Sequence, residues 1–337
     1  MQPPERIAVL KLGAIGDVAN TLPFVNRLRR GYPEARISWV IGPLAHSLVE
    51  GHEAVDEFVV LDLDGPRAWL RAIPLLRSRA FDLAIDLQRI LKSGVLSACT
   101  GAPRRIGFDR ARAKEWSFVF ANERIPPNPS PGVTVEQYLE FADHLGLPAA
   151  PVEWKLPLVP WPAAARDGPL VVVNVGASKS ANRWYPDRWA RVCERLVREE
   201  GARVELTGGE QDAPRAAAVV GQCREPLGNR AGRLSLKELA GLCAAADVFV
   251  GCDTGPLHVA VAVGTPTVAL FGAADAARTG PYGQAAGVVF RPADCSPCRR
   301  RSCSVPGHPC MRAIRADDVF EAIRARLHGA GTAAARR

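Results

Sequence analysis

Two α/β halves, each a parallel sheet covered by helices, are the fold this sequence predicts, and three observations predict it. Short β-rich runs alternate with helix-like segments through the first half of the chain. The unit that opens the chain, a strand followed by a small-residue loop and a helix, returns directly after residue 169. With 337 residues the chain is long enough to fill two hydrophobic cores.

In chain order, "RIAVLKL" (6–12) is the first strand and "GAIGD" (13–17) a tight Gly-rich loop. Val18, Leu22, Val25 and Leu28 then recur at helical spacing, so Asp17 falls at a helix entrance, at the carboxyl end of a strand. "RISWVIG", "EFVVLDL" and "FDLAIDL" are the next strands. "LVPWPAAARDGP" (158–169) is rich in Pro and Ala without periodicity, the composition of an interdomain linker. "PLVVVNV" resumes the strands, and the helix after "GASKSANRWYP" takes Asp187 as N-cap and lines up Trp189, Val192, Cys193, Leu196 and Val197. "ARVELTGG" is a strand, "SLKELAGLCAAA" opens with a capping box from Ser235 to Glu238, and "DVFVGC" and "TPTVALFG" flank "DTGPLHVAVAVG". The closing helix carries Val319, Phe320, Ile323 and Leu327 on one face, and "GAGTAAARR" reads as a frayed tail. The expected division is residues 1–160 and 168–315, both Rossmann-like and facing across a cleft, with 316–330 as a terminal helix.

Composition narrows the function classes. The chain is 47% hydrophobic, has no apolar run of membrane-span length, and begins without the layout of a secretory signal, so the expected location is the cytoplasm. Of nine cysteines, Cys99, Cys193, Cys223, Cys243 and Cys252 are scattered through apolar stretches, as reduced core residues are. A net charge of +8 favours an anionic partner: nucleotide, nucleic acid or acidic membrane surface.

"VGCDTGPLHVA" (250–260) is the sharpest local signal. Asp253, Thr254 and Gly255 make the turn from a strand into a helix whose N–H groups and dipole favour a phosphate, and His258 lies in the first helical turn. A capped helix with a buried histidine satisfies the same residues. "GAIGD" lacks the G-x-G-x-x-G spacing and "GASKS" lacks the leading glycine and spacer of a P-loop, which disfavours a nicotinamide enzyme or a P-loop kinase. "CSPCRRRSCSVPGHPC" brings Cys295, Cys298, Cys303 and Cys310 into one loop; the first pair has zinc-ligand spacing, while the second is wider than a zinc knuckle uses.

"GAIGDVANTLP", "FDLAIDLQRILKSG", "ASKSANRWYPDRW", "LTGGEQD", "DVFVGCDTGPLHVAVAVGTPTVALFG" and "TGPYG" together resemble the lipopolysaccharide heptosyltransferases, the ADP-heptose-using inverting glycosyltransferases of family 9, from residue 6 to about 328. The resemblance implies a GT-B fold, with acceptor held mainly by the first domain, nucleotide sugar by the second, and the last helix crossing back to the first. It implies Asp17 as the base that deprotonates the acceptor hydroxyl, and Arg183 as the cation facing the leaving diphosphate, with Lys179 competing because a tyrosine intervenes in "RWYP". It places Ser178, Asp253, Thr254, Gly255 and His258 on the donor's diphosphate and sugar, Glu210 on its ribose, and Gly16 on the acceptor side.

Arg104, Arg105, Arg110, Arg112 and Lys114 in "RRIGFDRARAK", with Arg89 and Lys92 just upstream, form a basic patch suited to a phosphorylated, carboxylate-bearing acceptor such as Kdo-lipid A or its heptosylated form, or to the anionic inner leaflet where it resides; an exposed basic loop kept for solubility reads the same way. The implied chemistry needs no cofactor and no metal, with ADP-heptose as substrate, in the cytoplasm or peripherally at the inner membrane. A GT-B enzyme using another nucleotide sugar or acceptor stays open. A nucleic-acid-binding reading rests on the basic charge and the four-cysteine loop; dispersed positive charge and the unexplained "DTGPLH" turn count against it.

Overall fold

The computed structural model describes residues 3–162 and 167–334. The chain divides between Pro157 and Leu158 into two compact units. In the first, strands β1 (Arg6–Leu10), β2 (Arg36–Ile41), β3 (Glu57–Val60), β4 (Leu83–Asp86), β5 (Arg104–Gly107) and β6 (Glu123–Arg124) alternate with helices α1 (Ile15–Ala19), α2 (Leu22–Gly31), α3 (Pro43–Val49), α4 (Pro66–Arg77), α5 (Leu91–Cys99) and α6 (Thr134–His144). The sheet is parallel, in the order β3-β2-β1-β4-β5-β6. Every residue of β1 after Arg6 is buried, because helices cover both faces of such a sheet and only continuous apolar runs satisfy both.

Strand order reverses between β1 and β4, where crossovers leave to opposite faces and open a crevice at the carboxyl ends. Leu10 pairs with Asp86 there, which sets the Lys11–Ala14 loop beside residues 87–90. The single helix expected after residue 17 is two: α1 ends at Ala19, and α2 restarts with Pro23 in its first turn.

The second unit repeats the plan with β7 (Leu170–Asn174), β8 (Arg203–Thr207), β9 (Gly228–Asn229), β10 (Val248–Cys252), β11 (Thr267–Phe271) and β12 (Val288–Phe290), and α7 (Pro186–Glu200), α8 (Ala213–Gln222), α9 (Leu236–Ala245), α10 (Gly255–Ala262), α11 (Ala276–Thr279), α12 (Pro309–Ala313) and α13 (Ala316–Ala334). Its order, β12-β11-β10-β7-β8-β9, is the first sheet's order in its own strands, with the reversal between β7 and β10. Pro186 opens α7 and Gly201 closes it in a left-handed conformation at φ 59°, while Trp189, Val192, Cys193 and Leu196 fill its buried face. The N-cap of α7 is Tyr185 rather than Asp187, which lies in the first turn. The expected capping box on α9 is present: the Glu238 N–H donates to Ser235 Oγ at 3.2 Å and the Ser235 N–H to Glu238 Oε2 at 2.8 Å.

Two expectations change. Residues 158–162 are built into the second unit: the Val159 N–H donates to Lys237 O, Gly241 leaves room for the Val159 carbonyl, and Trp161 packs on the α9 core. Residues 163–166 of the expected linker lie outside the described residues. The last helix runs on to Ala334 instead of fraying after residue 328, and residues 335–337 lie outside the described residues. It packs on the second unit, where Val319, Phe320 and Ile323 join the core with Val250, Val268 and Leu270.

Candidate active site

In the first unit, β1 delivers a lysine to the reversal point. Lys11 is 2% exposed, and its Nζ lies 3.3 Å from Asp17 Oδ2 and 3.4 Å from the Leu87 carbonyl. It also hydrogen-bonds Tyr138 of α6, with the ring centroid 5.0 Å away. Burial works to lower the lysine's pKa, yet the Asp17 carboxylate and Tyr138 outweigh it, and Lys11 titrates above its ordinary value. Burial and the charge on Asp17 together push the Tyr138 phenol up. The Trp39 indole donates to the Lys11 carbonyl at 3.1 Å and fixes the backbone under the ammonium. Asp17 is not the cap of α1, which is Ala14; it stands in the first turn with its side chain 43% exposed, while its own carbonyl accepts from Thr21 Oγ1 at 2.8 Å.

A second carboxyl lies under the same loop. Asp86 accepts from Ser93 Oγ and the Gln88 N–H, each at 2.9 Å, and Gln88 Oε1 accepts from the Leu12 N–H at 3.1 Å. Burial pushes Asp86 up to about 6 against these hydrogen bonds and the charge on Lys11. Arg89, at φ 72°, lays its guanidinium 3.9 Å from the Phe108 ring centroid and donates to Gln137 Oε1 at 2.5 Å. Gly16 is buried behind Asp17 in α1, and Lys92 is half-buried at the start of α5.

Arg104 and Arg105 do not join this group. They open β5, level with Leu83 and Ala84, and so lie at the amino end of the sheet, whereas Asp86 and Lys11 are at the carboxyl end. Arg104 is held in a two-point pair by Glu123, and Arg105 donates to the Phe120 and Ala102 carbonyls. Their assignment to an acceptor is withdrawn on these grounds.

In the second unit, the loop after β7 and the turn after β10 meet at the other reversal point. Asn182, 3% exposed, donates to the Asp253 carbonyl at 3.4 Å and to Asp253 Oδ2 at 3.3 Å, which ties loop to turn. His258 Nε2 lies 4.0 Å from Asp253 Oδ1. Thr254 is the N-cap of α10, yet its hydroxyl accepts nothing from the helix, and Thr254 Oγ1 and Asn182 Oδ1 are buried with no hydrogen-bond partner within the chain. Native proteins rarely leave such atoms orphaned, and here they accompany a helix N-terminus.

Arg183 donates Nε to the Ala177 carbonyl at 3.0 Å. Burial, then the positive charge of Arg183, hold Arg215 of α8 below its ordinary value, with its Nη1 donating to the Trp184 carbonyl at 3.1 Å. Two guanidiniums near enough to oppose each other's charge invite an anion. Gly176 is glycine because a Cβ there would meet Asp212 Oδ2 at 2.1 Å. Ser178 and Glu210 are exposed and Lys179 is half-exposed on the same edge. A cavity of about 470 Å³ is lined by Trp161, Arg203, Arg230 and Glu238, none of which belongs to these groups.

The cysteine-rich loop braces the post-β7 loop, and burial, then the neighbouring thiols of Cys295, Cys303 and Cys298, push the Cys310 thiol up. The Arg301 carbonyl accepts from the Ala181 N–H at 3.1 Å, and His308 Nε2 lies 2.8 Å from the Ala181 carbonyl. Cys310 is buried against Gly272, and Cys303 Sγ donates to the Val305 carbonyl. Among the described residues no group of three His, Cys, Asp or Glu side chains is arranged to hold a metal ion.

Sequence reasoning missed Lys11, Asp86, Tyr138, Asn182 and Arg215. Lys11 alone had a visible signal, a cation ending an otherwise apolar strand.

Two parallel sheets of the same 3-2-1-4-5-6 order, each gathering polar groups at its carboxyl reversal point, define the GT-B class of glycosyltransferases. The model of glycosyltransferase family 9 (heptosyltransferase) matches residues 69–308, and the chain belongs to that family. It is 25% identical over 297 residues to the lipopolysaccharide core heptosyltransferase OpsX of Haemophilus influenzae, covering 85% of this chain and 84% of that protein. It is 29% identical over 314 residues to lipopolysaccharide heptosyltransferase 1 of Pseudomonas aeruginosa, covering 89% and 87%. The fold is similar to that of Escherichia coli ADP-heptose lipopolysaccharide heptosyltransferase II, with a TM-score of 0.77 at 22% identity over 97% of this chain and 99% of that one.

Proposed function

We propose that this enzyme moves a heptosyl group from ADP-heptose to the lipopolysaccharide inner core, at Kdo-lipid A or its heptosylated form, with inversion at the anomeric carbon. The observation that carries the reading is the Asp17 carboxylate, half-exposed at the crevice edge and backed by the buried ammonium of Lys11 at 3.3 Å. The names of the relatives supply the donor and acceptor classes.

Asp17 takes the proton of the acceptor hydroxyl as its oxygen attacks the anomeric carbon from the face opposite the diphosphate. The bond from that carbon to the β-phosphate oxygen breaks, and its electron pair leaves with ADP. Arg183 and Arg215, with Ser178, Lys179, the Thr254 hydroxyl and the Gly255 end of α10, face the charge that grows on the diphosphate. Asp253 and His258 contact the sugar end, and Glu210 accepts from the ribose hydroxyls. The first unit takes the acceptor, with Lys92 and Gly16 at the crevice of its own sheet, and the second takes the donor. This reading has a lipid-linked acceptor met peripherally at the inner membrane; no helix among the described residues is long and apolar enough to cross a membrane.

The test is transfer from ADP-heptose to Kdo2-lipid A and to its heptosylated form, following ADP release and lipid mass. One added heptose is the expected product. In Asp17→Asn, turnover is expected to fall by about two to four powers of ten with donor affinity retained; unchanged turnover removes Asp17 from the mechanism.

A further inference from the structure

Residues 109–124 and Leu91, the first residue of α5, carry an amphiphilic surface whose side chains have no part in the proposed transfer. Trp116 is 68% exposed in a left-handed turn at φ 63°, Val119 is 55% exposed and Leu91 45%. The Lys114 N–H donates to the Arg89 carbonyl at 2.7 Å, and the Glu115 carboxylate accepts from the Leu91 N–H at 3.3 Å, so the Trp116 turn is sewn to the head of α5. Phe118 lies 5.9 Å from the Trp116 ring, with the guanidiniums of Arg110 and Arg124 at 5.3 and 5.8 Å from its own ring. Arg110, Lys114 and Arg124 are exposed. Of the neighbouring acids, Asp109 is held by Arg112, Glu123 by Arg104 and His144, and Glu115 caps α5, which leaves the surface positive.

We propose that this surface docks the enzyme on an anionic lipid bilayer, a proposal that rests on the reading of the acceptor as lipid-linked. Stable peripheral binding takes two signals, an apolar anchor and a basic patch, and both are here. Indole rings settle at the headgroup level, and each arginine or lysine near an anionic surface adds attraction that salt screens. A second copy of the chain would set these cations against their own like, so the charge selects lipid. The same loop touches the Arg89 carbonyl, and Arg89 bonds Gln137, the neighbour of the tyrosine that holds Lys11. Docking here brings the Asp17 edge of the first sheet to the lipid headgroups.

The experiment is sedimentation of the full-length enzyme with vesicles about one-third phosphatidylglycerol, against pure phosphatidylcholine, with neither donor nor acceptor present. Binding to the anionic vesicles alone is expected, lost at high salt, and about tenfold weaker in Trp116→Glu and in an Arg110→Glu, Arg124→Glu double variant whose melting temperature matches the parent. No binding by the parent, or a Trp116→Glu variant that binds as the parent does, overturns the proposal. Transfer to a water-soluble deacylated acceptor is expected to be equal in Trp116→Glu and parent, while transfer to vesicle-embedded acceptor falls about tenfold. Equal loss on both acceptors overturns docking and makes Trp116 part of the acceptor site. Because the vesicles hold no acceptor, Trp116-dependent binding in the absence of any transfer to lipid supports docking and removes only the proposed acceptor.

Discussion

Lys11 and Asp86 lie within one loop of the proposed base, and their charge states answer to each other. The Asp17 carboxylate and the Tyr138 phenol hold the proton on Lys11 against its burial. Lys11→Met removes the ammonium that holds the Asp17 carboxylate at 3.3 Å and is expected to lower kcat about tenfold with donor affinity unchanged; an unchanged kcat gives Lys11 a purely structural part. With the folded value of Asp86 raised to about 6, the native state binds the Asp86 proton more tightly than the unfolded chain does. Its stabilising contribution is complete below the unfolded carboxylate value and is lost as pH rises through about 6. From that unfolded value to about 6 is worth about 3 kcal/mol. Asp86→Asn is expected to gain about that much on the parent between pH 3 and pH 7, roughly, in denaturant titrations; an equal difference at both ends means the carboxyl is not displaced.

At the scale of elements, each unit has its own loop pair at a strand reversal, set by a register. Gly251 opposite Asn174 brings the post-β10 turn against the post-β7 loop, and the cross-tie from Asn182 to Asp253 holds them. Thr254 is the revealing member, since its hydroxyl is buried and unbonded at a helix start. Thr254→Val is expected to leave thermal stability equal or slightly higher, because an orphaned hydroxyl contributes nothing to the fold, while ADP binding weakens roughly tenfold by calorimetry. A lower melting temperature with ADP affinity intact would make the threonine a structural cap. Asp17 and the Asp253–His258 turn were legible because each sits where an apolar run stops and a helix starts. Arg215 was not, for it lies in the alanine-rich α8 and reaches the site only through the packing of that helix on α7. Arg104 and Arg105 misled because a cluster of cations in sequence does not say which end of a strand they occupy, and β5 begins with them.

For the whole molecule, the doubled fold was legible because parallel strands buried on both faces write themselves as apolar runs, and the strand–loop–helix theme repeats. The two-residue strands β6 and β9 were not, since a pair of residues carries no period. Nor was the partner of α13, whose apolar stripe is equally suited to either unit; only tertiary contact decides, and Phe320 lies under the Arg195 guanidinium at 3.6 Å, within the second unit's core. That placement has a consequence for autonomy. The second unit owns apolar clusters on both faces of its sheet and its own closing helix, the conditions under which a domain folds alone. Residues 158–337 expressed by themselves are expected to unfold in one cooperative transition and to bind ADP within a few-fold of the full-length affinity, since each proposed donor contact lies in that unit. Deleting residues 316–337 from the fragment strips Val319, Phe320 and Ile323 from the core and is expected to abolish the transition. A folded fragment that does not bind ADP would move part of the donor site to the first unit, whereas a truncated fragment that melts like the longer one would show that α13 is dispensable to the core it fills.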